Sequence, residues 1–154
     1  MKILIILLFF IVNIFAITII QKPIIFNEKR VELTKEYIKT HYDLEVKNIQ
    51  IKPQIILVHH TGIDSFTKSY NRFVNTTLPT DRPDIVKAGL LNVSAHFMVD
   101  KDGTIYQLMP DNIMARHVIG LNYSSIAIEN VGGEGFKDNL TSAQLNSNLQ
   151  LINY

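Results

Sequence analysis

The feature that most restricts the fold is an unbroken apolar run, Ile55-Ile56-Leu57-Val58, which ends on His59-His60-Thr61-Gly62. Three of its four residues are β-branched and favour extended backbone. A run without polar alternation suits a strand buried on both faces, inside a sheet that carries helices. The rest of the chain agrees with that reading. Val93 to Val99 reads as a second strand, Asp102-Gly103 as a tight hairpin turn, and Thr104 to Leu108 as the return strand. Ile126 to Val131 reads as a further strand, closed by Gly132-Gly133.

Helical patterns lie between these runs. Val31, Leu33, Tyr37, Ile38 and Tyr42 recur near a 3.6-residue period over Glu28 to Tyr42. Ser65 can cap a helix reaching Asn75, in which Phe66, Tyr70, Phe73 and Val74 are the apolar positions. Thr141 can cap a last helix running to Ile152, with Leu145, Leu149 and Ile152 as its apolar stripe. Asp43 to Pro53 reads as a polar connector, and Thr76 to Gly89, with Pro79, Pro83 and Gly89, as a long surface loop. Strands interleaved with helices imply an α/β domain with a mixed central sheet flanked by helices.

The first stretch is set apart from this domain. Met1-Lys2 is basic, Ile3 to Phe15 is apolar apart from Asn13, and Ala16 offers a small residue for cleavage. That is the layout of a secretory signal peptide over residues 1–16. Because the apolar run continues through Ile17, Ile19 and Ile20, retention as a membrane anchor is the alternative. The expected location is the periplasm, the cell envelope or the exterior, with membrane contact only through an uncleaved leader.

The 154 residues hold 15 Lys and Arg against 14 Asp and Glu, and the leader carries one of the bases, Lys2. The remainder is therefore balanced, which gives no electrostatic footprint for nucleic acid. There is no cysteine, so disulfides and thiolate chemistry are excluded. An exported chain of this kind relies on its apolar core or on a metal.

Histidine and carboxylate carry the remaining chemistry. Neighbouring strand residues point to opposite faces, so His59 and His60 do not easily share one metal ion. His96 lies in the second strand, and His117 in a loop. Glu129 sits in a strand end between apolar neighbours, where a carboxyl gains proton affinity and suits a general base. Imidazole and carboxylate are ordinary zinc ligands, and a catalytic zinc keeps one position open for water.

Four blocks in order resemble the type 2 N-acetylmuramoyl-L-alanine amidase family. They are Ile56-Leu57-Val58-His59-His60-Thr61, the stretch from Val93 to Tyr106 (with Ser94-Ala95-His96-Phe97 and Asp100-Lys101-Asp102-Gly103-Thr104), Ala115-Arg116-His117-Val118-Ile119-Gly120, and Ser125 to Gly133. The family includes phage lysozyme-type amidases, animal peptidoglycan recognition proteins and bacterial muropeptide amidases. The resemblance implies a mixed sheet flanked by helices, one zinc in a groove, and hydrolysis of the amide between the lactyl group of muramic acid and L-alanine. It assigns His59 as the first zinc ligand. Ala95 stands where phage and animal members carry a catalytic tyrosine, and Glu129 matches the glutamate used by the bacterial muropeptide branch, which this chain is closest to. His96 and His117 match histidines near the groove, where substrate contact and packing are both open. His60 is left structural.

The resemblance places the second histidine, the third ligand and an accompanying lysine after the last helix, beyond Tyr154. Residues 17–54 are then an N-terminal helix and connector, and 55–154 an amidase domain incomplete at its C-terminus. The expected activity is zinc-dependent cleavage of peptidoglycan or muropeptide by a monomer, with this chain a truncated form. A non-catalytic muropeptide-binding module is the alternative.

Overall fold

The computed structural model describes residues 17–137 and 139–154. The leader expected over 1–16 lies outside the described residues. Among those described, no helix is long and apolar enough to cross a membrane.

Five strands form one mixed sheet: β1 (Ile19–Gln21), β2 (Ile55–His60), β3 (Phe97–Val99), β4 (Ile105–Gln107) and β5 (Ser125–Asn130). Their order across the sheet is β1-β4-β3-β5-β2. Only β3 and β4 run antiparallel, joined by the Asp102-Gly103 turn; the other neighbours are parallel. Parallel pairing needs crossovers; helices lie in the connections between β1 and β3, while the stretch from β4 to β5 is a loop without a helix. The α/β reading with a mixed sheet therefore holds.

Helix α1 spans Glu28–Tyr42, capped by the Asn27 side chain on the Arg30 amide and ended by Asp43 in the left-handed region. Helix α2 spans Phe66–Phe73 with Ser65 as its cap. A single turn, α3 (Pro83–Val86), interrupts the stretch expected to be loop, with Pro83 at its first position. Helix α4 spans Ser142–Ile152, and Thr141 and Gln144 form a reciprocal capping box.

One apolar cluster lies on the sheet face that carries Met98 and Ala127, and Phe73 of α2 packs into it. The opposite face presents Phe97, Val99, Ile105 and Ile128 to Leu151 of α4. A third cluster joins Leu33, Tyr37 and Ile38 of α1 to Ile49, Ile51, Leu91 and Met114. The segment read as a polar connector thus contributes Ile49 and Ile51 to the core. Arg30 ties these parts together although its side chain is 1% exposed. Its guanidinium donates to the carbonyls of Ile25, Phe73 and Asn75, so three backbone acceptors depend on one side chain.

Four sequence expectations are corrected. The run Ile55–Val58 does form a strand, but at the sheet edge, where Ile56 and Val58 are 36% and 49% exposed. The strand expected from Val93 begins only at Phe97, because Ser94 turns aside to bond Arg116 by both its carbonyl-seeking amide and its hydroxyl. Ile19–Gln21, expected to belong to a helix-and-connector segment over 17–54, forms β1 against β4. The last helix is turned over. Leu145, Leu149 and Ile152 are each about half exposed, while Gln144, Ser147 and Asn148 are buried. The reason is a set of carbonyls at the strand ends: Gln144 donates to Val99 and Val131, and Ser147 to Gly103, while Asn148 pairs with Asn130. Unpaired buried carbonyls are costly, so the polar stripe takes the inner side.

Candidate functional site

The site stands at the C-terminal ends of β2 and β5, the end of a parallel sheet where ligands commonly bind. The register sets His59 opposite Glu129 and His60 opposite Asn130. Paired residues on adjacent strands share a face at a spacing of about 4.8 Å. His59 and Glu129 therefore lie side by side on the face of Met98 and Ala127. His60 points to the α4 side. It packs so closely on Gly133 that a Cβ there would meet its own Cβ at 2.6 Å, and Gly133 also has φ +77°. Only glycine suits that position.

Glu129 is 8% exposed, and its Oε2 has no hydrogen-bond partner. Burial pushes its carboxyl up to about 8, because the charged form loses water and gains no cation. A carboxyl that exchanges its proton near neutrality is suited to acid–base work.

His59 is half-buried, and burial lowers its proton affinity. Its Nε2 lies 3.1 Å from Nδ1 of His117, with the two rings edge to face. His117 Nε2 lies 3.1 Å from Ser125 Oγ. Burial, with His59 and His96 nearby, pushes His117 down to about 3, so it is neutral over the physiological range. The loop that carries it is fixed by Asn122, whose Oδ1 accepts from the amides of both His117 and Val118. Asn122 in turn donates to the Tyr37 hydroxyl on α1.

His96 is different. It has no exposed surface, its Nδ1 accepts from the Ala127 amide, and its Nε2 faces the Ile113 carbonyl. Burial pushes it down to about 4. Both ring nitrogens therefore face backbone groups. His117 is half-buried, and its ring bonds lead to His59 and Ser125. Ala95 is wholly buried in the core and offers no hydroxyl to the site.

Among the described residues, no group of three His, Asp or Glu side chains could hold a metal ion. His59 supplies one imidazole, and the ring nearest to it engages it by a hydrogen bond. A catalytic zinc takes three protein ligands, so the described residues do not by themselves fit one.

The sequence singled out His59, His117 and Glu129 as candidates, but not Ser125 or Asn122. A serine opening a strand and an asparagine in a loop are ordinary residues there. Only the fold shows that they hold His117.

The model of one family, N-acetylmuramoyl-L-alanine amidase, matches residues 50–154. No curated protein matches the chain at a significant level. Solved structures do. The N-acetylmuramoyl-L-alanine amidase LysC from Clostridium intestinale is 23% identical, over 90% of this chain and 74% of that one, with a TM-score of 0.51. A mutant of PlyL is 18% identical over 88% and 71%, with a TM-score of 0.56. The bumblebee recognition protein PGRP-SA is 18% identical over 90% and 74%, with a TM-score of 0.51. At these identities the likeness is one of fold. The family rests on the model match, which covers more than half of the chain: it belongs to the N-acetylmuramoyl-L-alanine amidase family.

Proposed function

We propose that this chain carries the acid–base half of a peptidoglycan amidase, which cleaves the amide between the lactyl group of N-acetylmuramic acid and L-alanine. One observation carries the reading: a buried carboxyl with an unpartnered oxygen, Glu129, stands in register with His59 at the open end of the sheet. In the reaction, Glu129 takes a proton from the attacking water and returns it to the leaving amine. The buried setting keeps bulk water from competing for that proton.

Zinc belongs to this proposal through the family, where it would act as a Lewis acid on the amide carbonyl. Here His59 is the proposed ligand, and the described residues do not complete a ligand set around it. A second reading, a non-catalytic binder of muropeptide, is supported by the fold shared with the recognition protein PGRP-SA.

One experiment separates the two. The purified chain is compared with a form extended past Tyr154 by the C-terminal segment of a complete amidase. Metal content, retention on insoluble peptidoglycan and release of L-alanyl peptide are measured for both. The chain alone is expected to hold no stoichiometric zinc and to release no peptide. The extended form is expected to do both, and His59→Ala in it to abolish metal retention. An extended form that holds zinc but leaves muropeptide intact would end the amidase proposal. Zinc-dependent release by the chain alone would show that the ligand set is already present.

Export is part of the same proposal. Lys2, the apolar run to Phe15 and Ala16 support a mature protein beginning near Ile17. The mass of the purified N-terminus checks it, and intact Met1 in a cytoplasmic fraction would refute it.

A further inference from the structure

The loop that carries His117 has two ends, and both rest on one side chain of α1. Its entry is Arg116, a buried residue whose guanidinium carbon lies 5.0 Å from the centre of the Tyr37 ring. The same guanidinium donates to the carbonyls of Ile85, Gly89 and Leu91. Its exit is Asn122, which has no exposed surface and donates from Nδ2 to the Tyr37 hydroxyl at 3.2 Å. Asn122 Oδ1 is taken by the amides of His117 and Val118, at 2.8 and 2.7 Å. A side-chain amide has one acceptor end and one donor end. With the oxygen given to the loop, the nitrogen anchors Asn122, and it reaches α1 through the hydroxyl. The apolar cluster around Tyr37 would pack a phenylalanine as well, so packing does not account for that hydroxyl.

We propose that Tyr37 is a positioning residue of the site, whose ring and hydroxyl grip the two ends of the loop and so hold His117 in the cleft. Tyr37 lies outside residues 50–154, so the brace comes from the part of the chain that precedes the span matched by the family model. Removing the hydroxyl takes away the acceptor that meets Nδ2 of a wholly buried asparagine, which is unfavourable. Asn122 is then free to turn and release the amides of His117 and Val118. The entry is held independently, because the Ser94 amide donates to the Arg116 carbonyl and the Arg116 amide to Ser94 Oγ. The hydroxyl is therefore the sensitive grip. Its loss loosens the exit of the loop and leaves the sheet intact.

The proposal rests on reading this cleft as the functional site, but its test does not use activity. Amide hydrogen exchange of the ¹⁵N-labelled full chain reads the loop residue by residue. The amides of β3 and β5, inside the sheet, report opening of the whole fold. Tyr37→Phe keeps the ring over Arg116 and removes only the hydroxyl. In that protein the amides of His117 and Val118 are expected to exchange about fivefold faster relative to the sheet amides, the usual effect of one net hydrogen bond. A ratio that stays at the native value would show that the tyrosine only packs, and would overturn the proposal. Asn122→Ala is expected to raise the ratio further. Adding Tyr37→Phe to it is expected to change nothing more, because the hydroxyl then has nothing to hold. Additive effects of the two substitutions would overturn the proposal even where Tyr37→Phe alone behaves as stated. Should the extended form release no peptide while the exchange ratios are as stated, the amidase proposal falls and the positioning role stands.

Discussion

Replacing Glu129 by alanine, in a form of the protein that releases peptide, is expected to lower kcat by roughly 10²–10⁴, the usual range for removing a general base. Binding should change little, because one of the carboxyl oxygens has no hydrogen-bond partner and holds no neighbouring group in place. Glu129→Gln should lose as much, since the amide has the shape but cannot accept and return a proton. The intact enzyme should also gain activity as pH rises toward about 8, where the buried carboxyl ionises. Steady-state rates on a defined muropeptide, measured across pH, check all three statements. A loss below about tenfold would remove Glu129 from the proton-transfer role.

The same carboxyl should make the fold less stable in mild alkali. Its ordinary value is 4.5, and burial raises it to about 8 in the folded protein. Between those values the folded chain keeps a proton that the unfolded chain has released. Its stabilising effect is therefore complete below 4.5 and is lost as pH rises through 8. Over the whole interval the loss is on the order of 5 kcal/mol. His96 and His117 act oppositely at the acid end. They are pushed down from 6.5 to about 4 and about 3, so they favour the fold increasingly as pH rises to 6.5 and are indifferent above it. Glu129 should thus be visible alone from pH 6.5 to 8, where it costs about 2 kcal/mol, at roughly 1.4 kcal/mol per pH unit. Urea unfolding midpoints of the native protein should fall across that window, and those of Glu129→Gln should not. Parallel curves for the two proteins would mean that the carboxyl is hydrated in the folded state.

Much of this arrangement was legible in the sequence because it depends on local pattern. Caps and periodicity located α1, α2 and α4, and the alternation of strands with helices implied the mixed sheet. That His59 and Glu129 stand near strand ends was legible because each follows a run rich in β-branched residues, and the register then sets them side by side. What could not be read depended on neighbours far along the chain. The apolar character of Ile55–Val58 says nothing about whether another strand lies outside it, and here none of the described residues does. The side of α4 that faces inward was decided by carbonyls at Val99, Gly103 and Val131, which no helical period reveals. The part played by His117 depended on Ser125 and Asn122, and neither residue type marks a site by itself.

The edge position of β2 bears on how the protein behaves at high concentration. Its outer row of amides and carbonyls pairs with no strand among the described residues, over six residues from Ile55 to His60. Native edges are usually blunted by proline, by charge or by a bulge. This strand has none of these, and Ile55, Ile56 and Val58 along it are themselves exposed. Two copies can add strand to strand there without disturbing either fold, and a third copy finds the same opportunity wherever an edge is left over. The single-copy state expected from the sequence is thus the one most open to self-templating. A charged residue at Val58, on the exposed side of the strand, is the natural gatekeeper for keeping the chain in solution.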